Sequence, residues 1–215
     1  GNHPRPGAVR AARVISRMTL LNAKISYHGG VSQDEYFGQV KAAERPVILP
    51  FSHRGLGKFH DPIAGLRAVF SSPMLRERAQ QFRGWVAVTY MTDPRFAPIL
   101  ESLGGISVIR SGDYTHPRFE MAPPEKSEGK KVTDALIRYS HRHLQDPDSV
   151  LFNFPGGSKG KEKVQDGVGM VLAQLDNAVS FPVALVSDSE TKPGLRGNIP
   201  QHLRIAFGEP VEADG

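Results

Sequence analysis

The stretch Pro46-Val-Ile-Leu-Pro-Phe-Ser-His-Arg-Gly-Leu-Gly-Lys-Phe-His-Asp-Pro62 passes from an apolar run into a loop rich in glycine and basic residues. Residues 47–51 form a short apolar run after a proline, which is typical of a buried β-strand. Residues 62–70 have a helical pattern, and a proline is tolerated in the first turn of a helix. The stretch therefore predicts a buried strand, a loop that carries the reactive side chains, and a helix.

Short apolar runs and helical patterns alternate along the rest of the chain. Strands are predicted at residues 24–28, 47–51, 85–90, 106–109, 150–154, 183–186 and 202–207. Helices are predicted at residues 8–23, 34–43, 62–70, 96–103, 132–144 and 167–175, with a polar loop at 113–131. Strands that alternate with helices indicate an α/β fold with a mostly parallel mixed sheet flanked by helices.

The composition fits one large folded domain. The chain has 215 residues, of which 39% are hydrophobic and 23% are charged, so a sizeable core can form. It contains no cysteine, which excludes thiol catalysis, disulfides and cysteine-ligated zinc. Its net charge of +5 suits an anionic partner, such as a phosphate-bearing substrate, a membrane surface or nucleic acid.

The N-terminal segment has the pattern of a basic amphipathic helix, which we assign to residues 1–24, with the α/β domain at 25–215. Four apolar residues fall near one face of this helix: Val9, Val14, Met18 and Leu21. Arginines 10, 13 and 17 lie elsewhere on it. Such a helix either packs on its own domain, which the pattern favours, or lies on an anionic membrane. No run of 18 apolar residues occurs, so we expect a cytoplasmic protein that binds peripherally at the membrane.

Three chemistries compete for the loop at residues 52–61. A phosphate-binding loop of the Walker type fails, because Ser52 and Phe59 stand where it needs a glycine and a hydroxyl residue. A metal site is disfavoured, because His53 and His60 are seven residues apart, which is not a recognised ligand spacing. We therefore expect no bound metal.

The third chemistry makes His53 a general base. A histidine can take a proton from an alcohol near neutral pH, and a carboxylate on its other ring nitrogen fixes the tautomer. Asp61 lies just beyond the loop and could be that carboxylate. The residues alone slightly favour the other interpretation, in which the histidine merely follows a strand and Asp61-Pro62 begins a helix.

A competing nucleophile lies further along the chain. Gly156-Gly-Ser-Lys-Gly160 matches the Gly-x-Ser-x-Gly pattern directly after a predicted strand, which would make Ser158 the nucleophile of a serine hydrolase. Asp188 and His202 follow in the order of a catalytic triad. Only 55 residues follow Gly160, however, and this is too few for the elements that normally carry the triad partners. The hydrolase stays open as an alternative.

Several blocks in a fixed order carry a resemblance to a known family. They are Ser52-His53 with Asp61, then Gly104-Gly-Ile-Ser-Val-Ile-Arg110, then Val150-Leu-Phe-Asn-Phe-Pro-Gly-Gly-Ser-Lys-Gly160, then Gly167 and Phe181-Pro-Val-Ala-Leu-Val186. In this order the chain resembles the glycerolipid acyltransferases, the family of lysophosphatidic acid and glycerol-3-phosphate acyltransferases. The resemblance runs from residue 25 to residue 207.

The chain departs from the family pattern at defined positions. The family has Asn-His-x-x-x-x-Asp, whereas here Ser52 precedes the histidine and seven residues separate His53 from Asp61. The family has Phe-Pro-Glu-Gly-Thr-Arg-Ser, whereas here Gly156 replaces the glutamate and Ser158-Lys159 replaces the Thr-Arg pair. Lysine keeps the charge but loses the bidentate fork that arginine offers a phosphate, which implies altered substrate recognition.

The resemblance implies an acyltransferase with a glycerolipid acyltransferase-like fold. It would move a fatty acyl group from an acyl-CoA or acyl-carrier-protein thioester to a hydroxyl of a phosphate-bearing (lyso)lipid or related acceptor. His53 would be the general base and Asp61 would orient it. The implied substrate-binding residues are Arg110, Pro155, Gly156, Gly157, Ser158 and Lys159. The thioester is a co-substrate, and we expect no other cofactor and no nucleic-acid partner. A catalytically degenerate relative that binds acyl groups or lipids is a further alternative.

Overall fold

A computed structural model describes residues 4–19, 23–39, 44–52, 60–109, 126–155, 171, 175, 177–187, 191–194, 197–200 and 203–212. Its helices are α1 (Pro6–Thr19), α2 (Gln33–Gly38), α3 (His60–Ser71), α4 (Pro73–Glu77), α5 (Val88–Met91), α6 (Ala97–Ser102) and α7 (Lys126–His143). Its strands are β1 (Lys24–Ser26), β2 (Val47–Pro50), β3 (Phe82–Ala87), β4 (Gly105–Val108), β5 (Val150–Asn153), β6 (Val179–Ser180), β7 (Val183–Ser187), β8 (Thr191–Gly194), β9 (Gly197–Pro200), β10 (Leu203–Phe207) and β11 (Val211–Glu212).

The two most apolar strands, β2 and β5, lie side by side in a six-stranded sheet of order β11-β6-β2-β5-β3-β4. Four of its pairings are parallel, and the pairing of β11 with β6 is antiparallel. The carboxyl ends of β2, β5, β3 and β4 therefore lie at one edge of the sheet, which we call the carboxyl edge. The predicted α/β fold with a mostly parallel mixed sheet flanked by helices is confirmed at this level.

A second sheet continues from the first. It has three strands in the order β1-β10-β7, with β1 parallel and β7 antiparallel to β10. Phe51 forms a parallel bridge with Val183, and the Ser52 amide donates to the Val183 carbonyl at 2.8 Å. The chain after β2 therefore runs from its pairing with β6 directly onto β7. Strands β8 and β9 pair as a separate antiparallel hairpin.

Side chains alternate between the two faces of the six-stranded sheet, so both faces are apolar, and helices cover both of them. Val150 and Phe152 of β5 belong to a large aromatic-rich core that includes residues of α3 and the second sheet. Leu151 points to the other face, where it belongs to a smaller core with Ile137 of α7. The Trp85 indole N–H donates to the Ser140 hydroxyl at 3.1 Å, which ties α7 to β3.

Helix α3 runs from the carboxyl edge towards the opposite edge. Gly65, in its second turn, packs so closely on Phe152 that a Cβ at this position would overlap the phenyl ring. Further along α3, Val69 and Phe70 line a small apolar cavity together with Phe82, the first residue of β3. The first turn of α3, which contains Asp61, therefore lies beyond Phe152 in the direction of the carboxyl edge.

Several element bounds differ from the predictions. Helix α1 is described over Pro6–Thr19, where a helix was predicted at residues 8–23, and Lys24 pairs with Arg204 in β1, at the start of the strand predicted at 24–28. Strand β3 ends at Ala87 and the chain turns into α5, although residues 88–90 continue the apolar run. Helix α7 begins at Lys126, within the predicted loop; the sequence did not indicate this start, because residues 126–131 contain no apolar residue larger than glycine from which a helical period could be read. The predicted helix at 167–175 falls outside the described residues except for residues 171 and 175.

Replacing Gly65 by alanine tests the close approach of α3 to the sheet. We expect Gly65→Ala to lower the free energy of unfolding by about 1–3 kcal/mol, because the added methyl group overpacks against Phe152. Urea denaturation measures the change. Gly38→Ala is the matched control, since a Cβ there has no neighbour within 4 Å and alanine suits a helix end at least as well. Equal stability of Gly65→Ala and wild type would contradict the packing described here.

Candidate active site

The carboxyl edge brings together the chain segments that lead into the two main predicted motifs. Pro50 of β2 is in register with Asn153 of β5, and the Phe51 amide donates to the Asn153 carbonyl at 2.8 Å. Ser52 and Pro155 each lie two residues beyond that pair. Because neighbouring strands are about 5 Å apart, the segments beginning at His53 and Gly156 leave the sheet from adjacent positions.

Most of the predicted site residues themselves fall outside the described residues. These are His53, Arg110, Gly156, Gly157, Ser158 and Lys159. Pro155 is described, half-buried, in the turn directly after β5. Asp61 is described as backbone in the first turn of α3. The structure thus places the residues that flank each motif and the start of α3 at one edge, while the pairing of His53 with Asp61 stays a prediction.

The segment that leads to Arg110 reaches the same edge at a greater distance. Strand β4 is parallel to β3, which in turn is parallel to β5, so β4 lies two strands from β5 and three from β2. These separations correspond to about 10 Å and 15 Å in the plane of the sheet. A side chain from the segment after β4 would therefore have to reach across the end of β3 to contact the other two motifs.

Ser52, which stands where the acyltransferase motif has asparagine, anchors the start of the His53 segment. Its hydroxyl accepts a hydrogen bond from the Leu185 amide at 2.8 Å, and its own amide donates to the Val183 carbonyl at 2.8 Å. The backbone bond belongs to the parallel bridge of Phe51 with Val183, and the serine side chain adds one further bond to β7. The residue before His53 is thereby held against the second sheet, which limits the directions in which the loop can leave.

An aromatic cluster forms the floor of the edge on the α3 side. The rings of Phe51 and Phe152 are 4.6 Å apart, and Phe154 lies 5.9 Å from Phe51 and 5.0 Å from Phe152. Phe51 and Phe152 are buried, whereas Phe154 is only half-buried. Three interlocked rings fix the ends of β2 and β5 relative to each other and make the surroundings of the edge apolar, so that charges there interact strongly.

The sequence analysis missed Asn153, the last residue of β5. Its side chain is 1% exposed, and neither amide atom has a hydrogen-bond partner among the described residues. It points to the α7 face of the sheet, because Leu151 two residues earlier does so. The sequence signal that could have identified Asn153 is a polar residue at the end of an otherwise apolar strand.

His143 is a second histidine that could have served as a base, but it lies near the opposite edge. It ends α7, and its ring Nδ1 is 3.4 Å from the hydroxyl of Ser149, which precedes β5. Burial and the nearby charge of Arg83 lower the pKa of His143 to about 4, so its ring is neutral at pH 7. The described residues contain no group of three or more histidine and acidic side chains that could hold a metal.

Comparison with known proteins does not add a relative. No protein-family model matches the chain, and no curated protein matches it. Among the helices that the structure describes, none is both long and apolar enough to cross a bilayer.

The anchor at Ser52 can be tested by removing its hydroxyl. We expect Ser52→Ala to lower the free energy of unfolding by about 1 kcal/mol, because the Leu185 amide loses its acceptor. Ser52→Thr keeps the oxygen and should stay within about 0.5 kcal/mol of wild type. Chemical denaturation of the three proteins measures the difference. An alanine variant as stable as wild type would show that the hydrogen bond does not hold the loop.

Proposed function

We propose that the protein is an acyltransferase, with its active site at the carboxyl edge. The observation that supports the proposal is the parallel pairing of β2 with β5, because the two strands that lead into the His53 and Gly156 motifs end side by side. Helix α3 brings its first turn, with Asp61, to the same edge. Ligands of open α/β sheets commonly bind outside the carboxyl ends of the strands, which is where the three segments meet.

In the proposed reaction, His53 takes the proton of the acceptor hydroxyl as the oxygen attacks the thioester carbonyl. The carbonyl π electrons move onto oxygen, and backbone N–H groups at the edge stabilise the resulting oxyanion. When the tetrahedral intermediate collapses, the C–S bond breaks and the imidazolium returns its proton to the leaving thiolate. Asp61 orients the ring and stabilises the imidazolium, and no acyl-enzyme forms, so no serine nucleophile is needed.

The acceptor would be held by the segments after β4 and β5. Arg110 follows β4 and Lys159 follows β5, and both are suited to an anionic group such as a phosphate. Pro155, Gly156, Gly157 and Ser158 supply a turn whose small residues let the backbone approach a substrate closely. The in-plane distance of about 10 Å between β4 and β5 would place the phosphate to one side of the base and the reacting hydroxyl nearer β2.

Substitution of the two rival catalytic residues distinguishes acyl transfer from hydrolysis. We expect His53→Ala to reduce acceptor-dependent release of thiol from acyl-CoA by at least about 10²-fold, because the general base is lost. Ser158→Ala should reduce it by less than about tenfold, because the serine would only contact substrate. A thiol-release assay with long-chain acyl-CoA and with glycerol 3-phosphate or lysophospholipid acceptors measures both variants.

The opposite pattern would favour the serine hydrolase. In that case release would not depend on the acceptor, would survive His53→Ala and would be lost in Ser158→Ala, and a fluorophosphonate would label the wild type. If neither protein releases thiol although acyl-CoA binds, the chain is a degenerate relative. Folding of each variant is checked by its unfolding transition, so that a collapsed protein is not scored as inactive.

We further propose that α1 attaches the protein peripherally to an anionic membrane surface at its cytoplasmic side. Val9 and Ala12 of α1 pack against Phe70 and Ala79, so the inner face of the helix is used within the fold. Val14 was predicted to share the face of Val9, but it is 51% exposed, and Ile15 beside it is 53% exposed. The exposed apolar pair lies on a helix that carries three arginines and no acidic first turn, which complements anionic lipid.

Removing the exposed apolar pair tests the membrane surface. We expect the double variant Val14→Ser, Ile15→Ser to bind vesicles of phosphatidylglycerol and phosphatidylcholine at least about tenfold more weakly, because each lost CH₂ removes ~0.8 kcal/mol of burial. Vesicle co-sedimentation at two salt concentrations measures the binding. Val132→Ser is the matched control, because Val132 is also exposed, at 45%, but lies on α7. Equal binding of the double variant and the control would contradict the assignment.

A further inference from the structure

Asn153 is an unusual residue for the centre of a parallel sheet. It ends β5, between β2 and β3, where the other three residues of the strand are apolar and buried. Its side chain is 1% exposed, and among the described residues nothing bonds to either its Nδ2 or its Oδ1. A buried amide without partners costs free energy, because it loses its hydrogen bonds to water and gains none in return.

Two serine side chains near this sheet have partners. Ser149, at the opposite end of the β5 segment, donates its hydroxyl to the His143 carbonyl at 2.6 Å. Ser140 accepts from the Trp85 indole. Within the described chain, His143 Nε2 is also buried without a partner, but its Nδ1 lies 3.4 Å from the Ser149 hydroxyl, whereas both polar atoms of the Asn153 side chain lack one. Such an amide needs an explanation, and a bound ligand or an ordered water would supply the missing hydrogen bonds.

Asn153 lies at the carboxyl edge, where β5 ends. Its neighbours on the same face of the sheet are Pro50 of β2, which is in register with it, and Trp85 of β3, one residue beyond the Gly84–Phe152 pair. Both neighbours are only half-buried, whereas Asn153 is buried. Neither offers the amide a partner, because a proline ring has no polar side-chain atom and the indole N–H already donates to Ser140. A ligand group bound at this edge beside Pro50 and Trp85 would lie next to the amide.

From this geometry we propose that the Asn153 amide is a specificity-determining contact for a neutral ligand group that both donates and accepts a hydrogen bond. The inference rests on the proposed acyl transfer and adds the substrate chemistry that its site selects. Two sources supply such a group: a hydroxyl of the acceptor other than the reacting one, or an amide of the pantetheine arm of the thioester donor. A charged group is disfavoured, because a buried neutral amide cannot offset its desolvation.

This contact would favour substrates that carry the matching polar group. A site built to hydrogen-bond a hydroxyl or amide rejects an analogue that lacks it, because the buried protein group is then left without a partner. Asn153 takes no proton and forms no bond to the reacting carbon. It is a binding residue, and its loss should raise KM or Kd for one of the two substrates more than it lowers kcat.

The experiment compares Asn153→Leu with Ser149→Ala. Leucine replaces the two amide atoms by two methyl groups, so the free protein no longer buries unsatisfied polar atoms, and we expect its Tm to equal or exceed that of wild type. Coenzyme A and glycerol 3-phosphate are titrated separately, and ligand-induced shifts in Tm give Kd for each. We expect Asn153→Leu to weaken one of the two by at least about tenfold, which corresponds to about 1.4 kcal/mol. Ser149→Ala should lower Tm and leave both Kd values unchanged.

The outcome for each probe names the source of the group. Weaker binding of coenzyme A alone assigns the contact to the donor's pantetheine amides, and weaker binding of glycerol 3-phosphate alone assigns it to the acceptor. If leucine overpacks the site and lowers Tm, Asn153→Ala, which adds no volume, replaces it in the same titrations. Unchanged Kd values for both probes, or wild type that binds neither, would overturn the proposal.

Failure of the proposal can be told apart from failure of the acyltransferase assignment. Binding is measured without turnover, so a ligand contact at Asn153 is supported even if the wild type proves inactive. Conversely, acyl transfer that depends on His53 but is unchanged in kcat and KM in Asn153→Leu would retain the enzyme and reject this residue as a binding contact.

Discussion

The pairing of β2 with β5 is the constraint on which the rest of the structure depends. Four consecutive residues of one strand stand in register with four of the other, although about a hundred positions separate them along the chain. Each strand alternates its side chains between two cores, so a slip of one residue would exchange the faces of Phe152 and Leu151. The same register fixes which residues stand at the carboxyl edge.

The packing of α3 on β5 fixes the position of the helix relative to the paired strands and to the candidate site. Phe152 fills the space that Gly65 leaves open, so the absence of a side chain at Gly65 lets the helix approach the sheet closely there. Asp61 is four residues before Gly65, or about one helical turn. A core contact between a glycine and a phenylalanine thus sets how far the first turn of α3 projects beyond the sheet, and the reactive loop must close the remaining distance from Ser52.

The sequence predicted the elements better than their ends and their partners. The apolar runs of β2 and β5 were identified as buried strands because few other structures bury four or five such residues in succession. The predicted end of β3 was wrong, because Val88-Thr-Tyr90 fits both a continued strand and the helix α5 that it forms. The face predicted for Val14 was also wrong, because helical periodicity does not say which of two apolar faces of a helix packs against the core. The order β6-β2-β5-β3-β4 was not predictable, since it depends on crossovers that no local pattern encodes.

Buried polar side chains differ in their hydrogen bonding between the carboxyl edge and the opposite edge, which we call the amino edge. At the amino edge, the Arg78 guanidinium donates to the Arg45 carbonyl at 2.7 Å, and the Arg83 guanidinium donates to the Phe82 carbonyl at 2.8 Å. These buried cations satisfy backbone oxygens where strands begin, so their role is explained by the fold. At the carboxyl edge, neither polar atom of the Asn153 side chain has a hydrogen-bond partner among the described residues. His143 Nε2 at the amino edge also lacks a partner within the described chain, but the other ring nitrogen lies 3.4 Å from the Ser149 hydroxyl. Asn153 differs because both of its side-chain polar atoms are left without such a partner, and a ligand that bonds to the amide would satisfy them.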